Sequence, residues 1–302
     1  MRACCVGAAV ELPGNVMETG QAGVVDGALV EWLLAQVHAG VAPDDVVAAM
    51  RGRGWSEDDA ADTIEQVMRE HLDAHARANA LPRPVRVPAP IGTNGPASFL
   101  AGDREVQVLA ALVHPRVIVF GNVLADDECD ALVAMARERL SRSPVFDPDS
   151  GQDQAHAART SEGMFFHRGG NALCARIEAR ISALLDWPVE NGEGLQVLRY
   201  GPGAEYRPHY DYFDPARPGA HVALARGGQR VASLVMYLNT PRRGGATTFP
   251  DPRFEVAPVK GNAVFFSYDR PHPMTGSLHG GAPVLDGEKW VATKWLREHR
   301  HD

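Results

Sequence analysis

The apolar positions of the chain fall into two textures. Between residues 25 and about 80 they recur at helical spacing. Leu29, Trp32, Leu33 and Val37 follow an i, i+3, i+4, i+8 pattern, which is one buried face of an amphipathic helix. A second short helix is expected from near Pro43, with Val46, Val47 and Met50 facing inward. Ser56 followed by Asp59 makes an approximate capping box. It opens a third helix whose stripe is Ile64, Val67, Met68 and Leu72.

The second texture begins after a run rich in proline. Residues 81–97 hold Pro82, Pro84, Pro88, Pro90 and Pro96 together with Gly92, Asn94 and Gly95, a composition expected of a semi-rigid linker. Helices are predicted at 126–139 and 172–185, the latter with Leu173, Ile177, Ile181, Leu184 and Leu185 on one face. After Gly194 the pattern changes to short strands separated by Gly, Pro and Asp, at 195–200, 206–213, 231–238, 247–249, 254–256, 263–268 and 289–296. Strands of this length and number argue for an all-β sandwich or barrel flanked by helices. The expected layout is a poorly ordered N-terminus (1–23), a small three-helix domain (24–80), the linker (81–97) and a larger domain (98–302). In its size and its Gly54-Trp55-Ser56 the helical domain resembles ubiquitin-associated-type bundles. That implies a scaffold or self-association module, or one that recruits a peptide.

Charge and cysteine content narrow the setting. A formal charge of −8, from 30 basic and 38 acidic side chains, gives no broad electrostatic footprint for nucleic acid. No stretch approaches the ~20 consecutive apolar residues of a membrane helix; the run at 27–37 is interrupted by Glu31. Cys4 and Cys5 are adjacent, while Cys129 and Cys174 are isolated. This is not a disulfide framework, and the expectation is reduced thiols in the cytoplasm. Arg2 and the small or apolar residues 3–10 lack a convincing cleavage site.

The chemistry concentrates at His209-Tyr210-Asp211. In a strand, positions i and i+2 share a face, so an imidazole and a carboxylate can converge on one cation. A further histidine from a distant strand would complete a 2-His-1-carboxylate triad with open positions on ferrous iron. His-x-Asp alone is weak, and with 12 histidines a chance copy is expected; it exists as His71-Leu72-Asp73. That copy lies in the predicted third helix, where i and i+2 diverge by ~200° and cannot chelate one ion.

Downstream, His279 precedes Lys289 by ten residues. Asp286-Gly287 is a hairpin signal, after which Lys289 opens a strand. In that strand Lys289, Val291, Thr293 and Trp295 share one face. If Trp295 faces a barrel interior, so does Lys289, and a buried ammonium needs a partner. A dicarboxylate cofactor would supply one.

Taken together, the segments of residues 115–298 resemble the catalytic domain of the prolyl 4-hydroxylase family, within the Fe(II)/2-oxoglutarate-dependent dioxygenases. The matching stretches are Arg159-Thr-Ser-Glu-Gly-Met, Leu195-Gln-Val-Leu-Arg-Tyr200-Gly, Tyr206-Arg-Pro-His209-Tyr-Asp211 and Arg230-Val-Ala-Ser-Leu-Val-Met-Tyr237-Leu-Asn. They continue with Gly244-Gly-Ala-Thr247-Thr-Phe-Pro250, Lys260-Gly-Asn-Ala-Val-Phe-Phe and Lys289-Trp-Val-Ala-Thr-Lys-Trp295. The resemblance implies a mainly β, α+β architecture: a double-stranded β-helix of the jelly-roll or cupin kind, buttressed by helices from residues 98–190. It implies His209, Asp211 and His279 as iron ligands. Lys289 would hold the distal carboxylate of 2-oxoglutarate, with Tyr200 and Thr247 donating hydrogen bonds. Tyr206, Arg230 and Trp295 match substrate-lining positions, and Arg159 matches a loop over the peptide groove. The implied cofactors are Fe(II) and 2-oxoglutarate, with ascorbate as an accessory.

Two departures stand out. Arg297 occupies a position where collagen-type members often carry His, and the segment 214–229 is longer than the minimal family loop and is expected to cover the site. The implied reaction is oxidative decarboxylation to succinate and CO2 coupled to hydroxylation of a prolyl residue in a peptide or protein. Extended proline-rich segments suit an open groove because they lose little entropy on binding. Alternatives are hydroxylation of a free amino acid or small peptide metabolite, a non-catalytic peptide binder that kept the fold, and a zinc hydrolase. The last lacks the glutamate base expected on a ligand helix. No nucleic-acid or membrane partner is expected, and the oligomeric state is open, with the helical domain a candidate for self-association. His299, His301 and Asp302 read as a solvated tail.

Overall fold

A computed structural model describes residues 25–90, 95–147, 152–155 and 160–302. The N-terminal segment, Cys4, Cys5 and Arg159 lie outside the described residues. The chain divides after Leu81 into two compact units.

The first unit is three helices, α1 (Gly27–His38), α2 (Pro43–Arg51) and α3 (Glu57–Ala78). Asp26 caps α1 by accepting from the Leu29 N–H, and Ser56 caps α3 by accepting from the Asp59 N–H, each satisfying an otherwise orphaned helix donor. Leu29, Trp32, Leu33, Val46, Met50, Ala60 and Val67 form the core. The expected stripes run too far. Val37 is 49% and Leu72 60% exposed, because Val37 lies in the last turn of α1 and the 22-residue α3 outruns its shorter partners.

The second unit holds β1 (Ser98–Ala101), β2 (Arg104–Leu112), β3 (Val117–Gly121), α4 (Asp126–Arg137), β4 (Ser141–Arg142), β5 (Pro144–Asp147), β6 (Gln152–Ala155), β7 (Glu162–Phe166) and α5 (Ala172–Leu185). It continues with β8 (Leu195–Tyr200), β9 (Tyr206–His209), α6 (Ala220–Leu224), β10 (Arg230–Tyr237), β11 (Arg243–Gly244), β12 (Thr247–Phe249), β13 (Phe254–Val256), β14 (Ala263–Ser267), β15 (His279–Gly281), β16 (Val284–Asp286) and β17 (Lys289–Arg297). A nine-stranded sheet runs β1-β2-β3-β14-β10-β17-β8-β7-β4, and a four-stranded sheet runs β13-β12-β15-β9. One face of the large sheet packs Ile118, Phe120, Leu234 and Ala292 against Leu132 of α4 and Ile177 and Ile181 of α5. The other face packs Val119, Leu198, Tyr237, Phe266 and Val291 against Phe249 and Val256 of the small sheet. This is the double-stranded β-helix expected from the sequence, with helices on its outer side.

Three local expectations are corrected. Within residues 98–166 the expected helix at 126–139 is present as α4, but the segment also supplies seven strands that were not expected, five of which belong to the large sheet. In β2 the alternation that marks a strand is broken by a register shift between Val108 and Ala110; a bulge turns successive side chains out of phase. Asp286-Gly287 does not close a hairpin between β16 and β17. β16 pairs with β11, whereas β17 pairs with β10 and β8, so the turn, with Gly287 at φ 83°, hands the chain from one sheet to another. Finally, β9 ends at His209, and Asp211 lies beyond the strand.

The Pro-rich segment is not a free spacer over its first half. The Val85 N–H donates to the Asp269 carbonyl at 2.7 Å, Val85 and Val87 pack on the barrel core, and the Arg86 guanidinium sits 5.1 Å above the Trp187 ring. Cys129 and Cys174 are free and buried. Among the described residues no helix is long and apolar enough to cross a membrane.

Candidate active site

His209 and His279 are direct partners across the β9–β15 pair, which brings their ring centroids to 4.3 Å. The turn after β9 swings Asp211 back toward them: Oδ1 lies 3.5 Å from His209 Nε2 and Oδ2 3.5 Å from His279 Nε2. Candidate ligand atoms of the three residues all lie within 4.8 Å of one another. The expected pair does come together, but for a different reason from the one expected, since a turn rather than the pleat delivers the carboxylate.

The surroundings prepare these groups. His209 Nδ1 lies 2.9 Å from the Arg207 carbonyl and His279 Nδ1 3.0 Å from the Ser277 carbonyl. An Nδ1–H donated to each carbonyl leaves both Nε2 lone pairs facing the carboxylate. Burial holds His279 down at about 4, against a smaller opposite pull from Asp211, so its imidazole is neutral at pH 7. Burial would raise the Asp211 carboxyl, but His279, His209 and Arg230 outweigh it and keep it ionised. The Ser233 hydroxyl donates to Asp211 Oδ2 at 2.5 Å and sits 3.0 Å from the Tyr268 hydroxyl. Tyr206 stacks on His209 with centroids 3.7 Å apart, and Phe266 packs against His279 at 4.3 Å. Two imidazoles and one carboxylate, held by fixed neighbours on one side, suit a divalent iron that keeps free coordination positions. His71 and Asp73 lie in the interior of α3 and join no such cluster.

Lys289 begins β17 beside Tyr200 and is 4% exposed. Burial pushes its amine down to about 8. Among the described residues no carboxylate lies within ion-pair distance of it. Two aromatic rings flank it: Nζ is 5.6 Å from the Tyr200 ring and 5.8 Å from the Tyr237 ring. The Tyr237 hydroxyl donates to Thr247 Oγ1 at 2.8 Å. A Cβ added to Gly281, two residues beyond His279, would lie 3.8 Å from Nζ, so the lysine and the His-Asp-His cluster share one space between the sheets. Tyr237 was quoted in the sequence motif without a role; its position on the Lys289 face of β10 was the available signal.

A cavity of about 930 Å³ opens beside the cluster, its wall including His209, Asp211, Tyr206, Arg230 and Trp295. The three sequence-named substrate candidates that are described therefore lie together. Arg230 is not a free cation: its fork is held by Glu193 at 2.7 and 2.9 Å, and its guanidinium stacks 4.0 Å from the Trp295 ring. Sequence reasoning missed Glu193, which follows Gly192 in a loop and carries no motif. The C-terminal residues are also less free than expected, since the His301 N–H donates to the Glu190 carbonyl and Arg226 donates to the Asp302 carbonyl.

Sequence comparison agrees with this geometry. The 2OG-Fe(II) oxygenase superfamily model matches residues 195–297. Prolyl 4-hydroxylase 2 of Arabidopsis thaliana is 38% identical over 234 residues, covering 69% of this chain and 75% of the relative. The chain belongs to the prolyl 4-hydroxylase family. It is an Fe(II)/2-oxoglutarate-dependent dioxygenase. Prolyl 4-hydroxylase 5 of the same plant is 38% identical over 66% of this chain and 73% of its own length. Among solved structures, the 2OG complex of the viral collagen prolyl hydroxylase from Paramecium Bursaria Chlorella virus-1 is 31% identical. It covers 60% of this chain and 95% of that one, with a TM-score of 0.47.

Proposed function

We propose that the protein hydroxylates prolyl residues in a peptide or protein, consuming O2 and 2-oxoglutarate and releasing succinate and CO2. The observation that carries this reading is the shared inter-sheet space, with two imidazoles and a carboxylate at one end and an unpaired buried ammonium at the other. His209, Asp211 and His279 would hold the ferrous ion. Lys289 would pair with the distal carboxylate of 2-oxoglutarate, with Tyr200, Thr247 and Tyr237 around it. Bound iron and 2-oxoglutarate supply the oxidising power for an unactivated C–H bond; the chain supplies position and exclusion of water. The substrate lies in the cavity against Tyr206, Trp295 and the aliphatic face of Arg230. Aromatic walls of this kind favour a proline ring presented in an extended, already ordered segment. Buried, unpaired Cys129 and Cys174 suit a reducing compartment, in keeping with a cytoplasmic setting.

The test is mass spectrometry of proline-containing peptides after incubation with the protein, ferrous iron, 2-oxoglutarate and air. The expected outcome is one added oxygen on proline with matching succinate, abolished by His279→Ala. A wild-type protein that binds iron but consumes no 2-oxoglutarate with any prolyl peptide would overturn the reading.

A further inference from the structure

The loop between β9 and β10 is anchored by a side chain outside it. Arg297, the last residue of β17, is 3% exposed. Its Nη1 donates to the Gly228 carbonyl at 2.7 Å and its Nη2 to the Ala223 carbonyl at 2.9 Å. Its Nε lies 3.0 Å from Glu193 Oε1, the carboxylate that also grips Arg230. One guanidinium therefore hydrogen-bonds two carbonyls of the loop and ion-pairs with the Glu193 carboxylate. The loop is closed at its neck as well: the Phe213 N–H donates to Gln229 Oε1 at 2.8 Å, and Gln229 Nε2 donates back to the Phe213 carbonyl at 2.7 Å. Phe213 itself lies beneath both guanidiniums, 4.8 Å from that of Arg230 and 5.0 Å from that of Arg297.

This loop is a wall of the cavity. Phe213, Ala220, Val222, Ala223 and Arg226 all line it, together with His209 and Trp295. We infer that Arg297 is a positioning residue that fixes this wall and so sets which extended substrate the cavity accepts; the inference rests on the proposed peptide hydroxylation. An ammonium cannot replace it, because a single point charge cannot serve two carbonyls five residues apart and a carboxylate together, whereas a planar fork can. Arg297 contacts neither the His-Asp-His cluster nor Lys289. Its loss is thus expected to act on the substrate and not on the keto acid.

The experiment compares wild type, Arg297→Lys and Gly228→Ala. Gly228 has φ +73°, a conformation strained for any side chain, and an added Cβ would crowd Glu298 Oε2 at 2.9 Å and Cβ at 3.1 Å, so this variant strains the peptide whose carbonyl Arg297 holds without altering Arg297. Hydrogen exchange, binding of 2-oxoglutarate to the iron-loaded protein, and kinetics with a synthetic poly-L-proline peptide are measured. Both variants should exchange faster at 213–229 and nowhere else. The peptide KM should rise by about tenfold, on the scale of a lost positioning interaction, while kcat at saturating peptide and 2-oxoglutarate affinity are retained. Unchanged exchange at 213–229 overturns the anchoring. A raised 2-oxoglutarate requirement with unchanged peptide KM overturns the role in substrate selection. If wild type oxidises no poly-L-proline, that failure belongs to the proposed function, and exchange in Arg297→Lys still decides the anchoring.

Discussion

Strand β17 buries two lysines five residues apart, on opposite faces of the large sheet. Lys294 points toward α5, where its ammonium meets the Glu178 carboxylate at 2.5 Å and the Glu193 carbonyl. Gly192 leaves the room, since a Cβ there would strike Lys294 Cε. Lys289 points into the space between the sheets and meets two tyrosine rings and no carboxylate among the described residues. Burial depresses both amines, but only at Lys294 does a carboxylate pull the other way. A buried cation with its counter-charge in the chain is part of the scaffold. A buried cation without one is suited to receive an anion, because desolvation without a partner is otherwise costly.

The sharpest way to break this contrast is to remove each charge. Lys294→Met leaves the buried Glu178 carboxyl without its cationic partner, and should cost about 3–5 kcal/mol of stability in denaturant unfolding. If the midpoint does not move, Lys294 is not structural. Lys289→Met should leave stability unchanged or raised, since an unpaired buried charge is replaced by an apolar chain of similar length. Its 2-oxoglutarate requirement should rise by about a hundredfold, the scale of truncating one partner of a buried charge pair. An unaltered requirement would take the lysine out of the cofactor site.

A milder perturbation is pH. With its amine held at about 8, Lys289 is charged at pH 7 and largely neutral at pH 9, and only the charged form attracts a carboxylate. Affinity of the iron-loaded protein for 2-oxoglutarate should fall by about tenfold between these values, following the loss of one proton per site. Calorimetric titration checks this, and a flat profile would show that the ammonium does not bind the acid. The smallest effect is expected from His71→Ala, on the helical unit: stability within about 0.5 kcal/mol and unchanged turnover, as for an ordinary surface substitution.

Much of the barrel was legible because its strands obey simple rules. β8, β12 and β13 begin and end where the apolar runs do, and the alternation in β17 separates the Lys289 face from the Lys294 face. The strands before α5 were not legible, since β2 carries a bulge and β3 is buried along its whole length, so neither shows a clean period of two. Within the site, His209, Asp211, His279 and Lys289 could be named from the chain because metal and anion chemistry restrict residue type. Glu193 and Ser233 could not, and Arg297 stood out only as a departure from the family, with no role attached. Their parts come from tertiary hydrogen bonds to groups 22 to 101 positions away, which no local pattern encodes.

The pairing of His209 with His279 joins β15 to β9, one of the two edge strands of the small sheet. A slip of one residue between these strands would turn one imidazole to the opposite side. Iron occupancy is therefore a gauge of that alignment. Changes that loosen this edge should release the metal before they melt the barrel, even where no ligand has been touched.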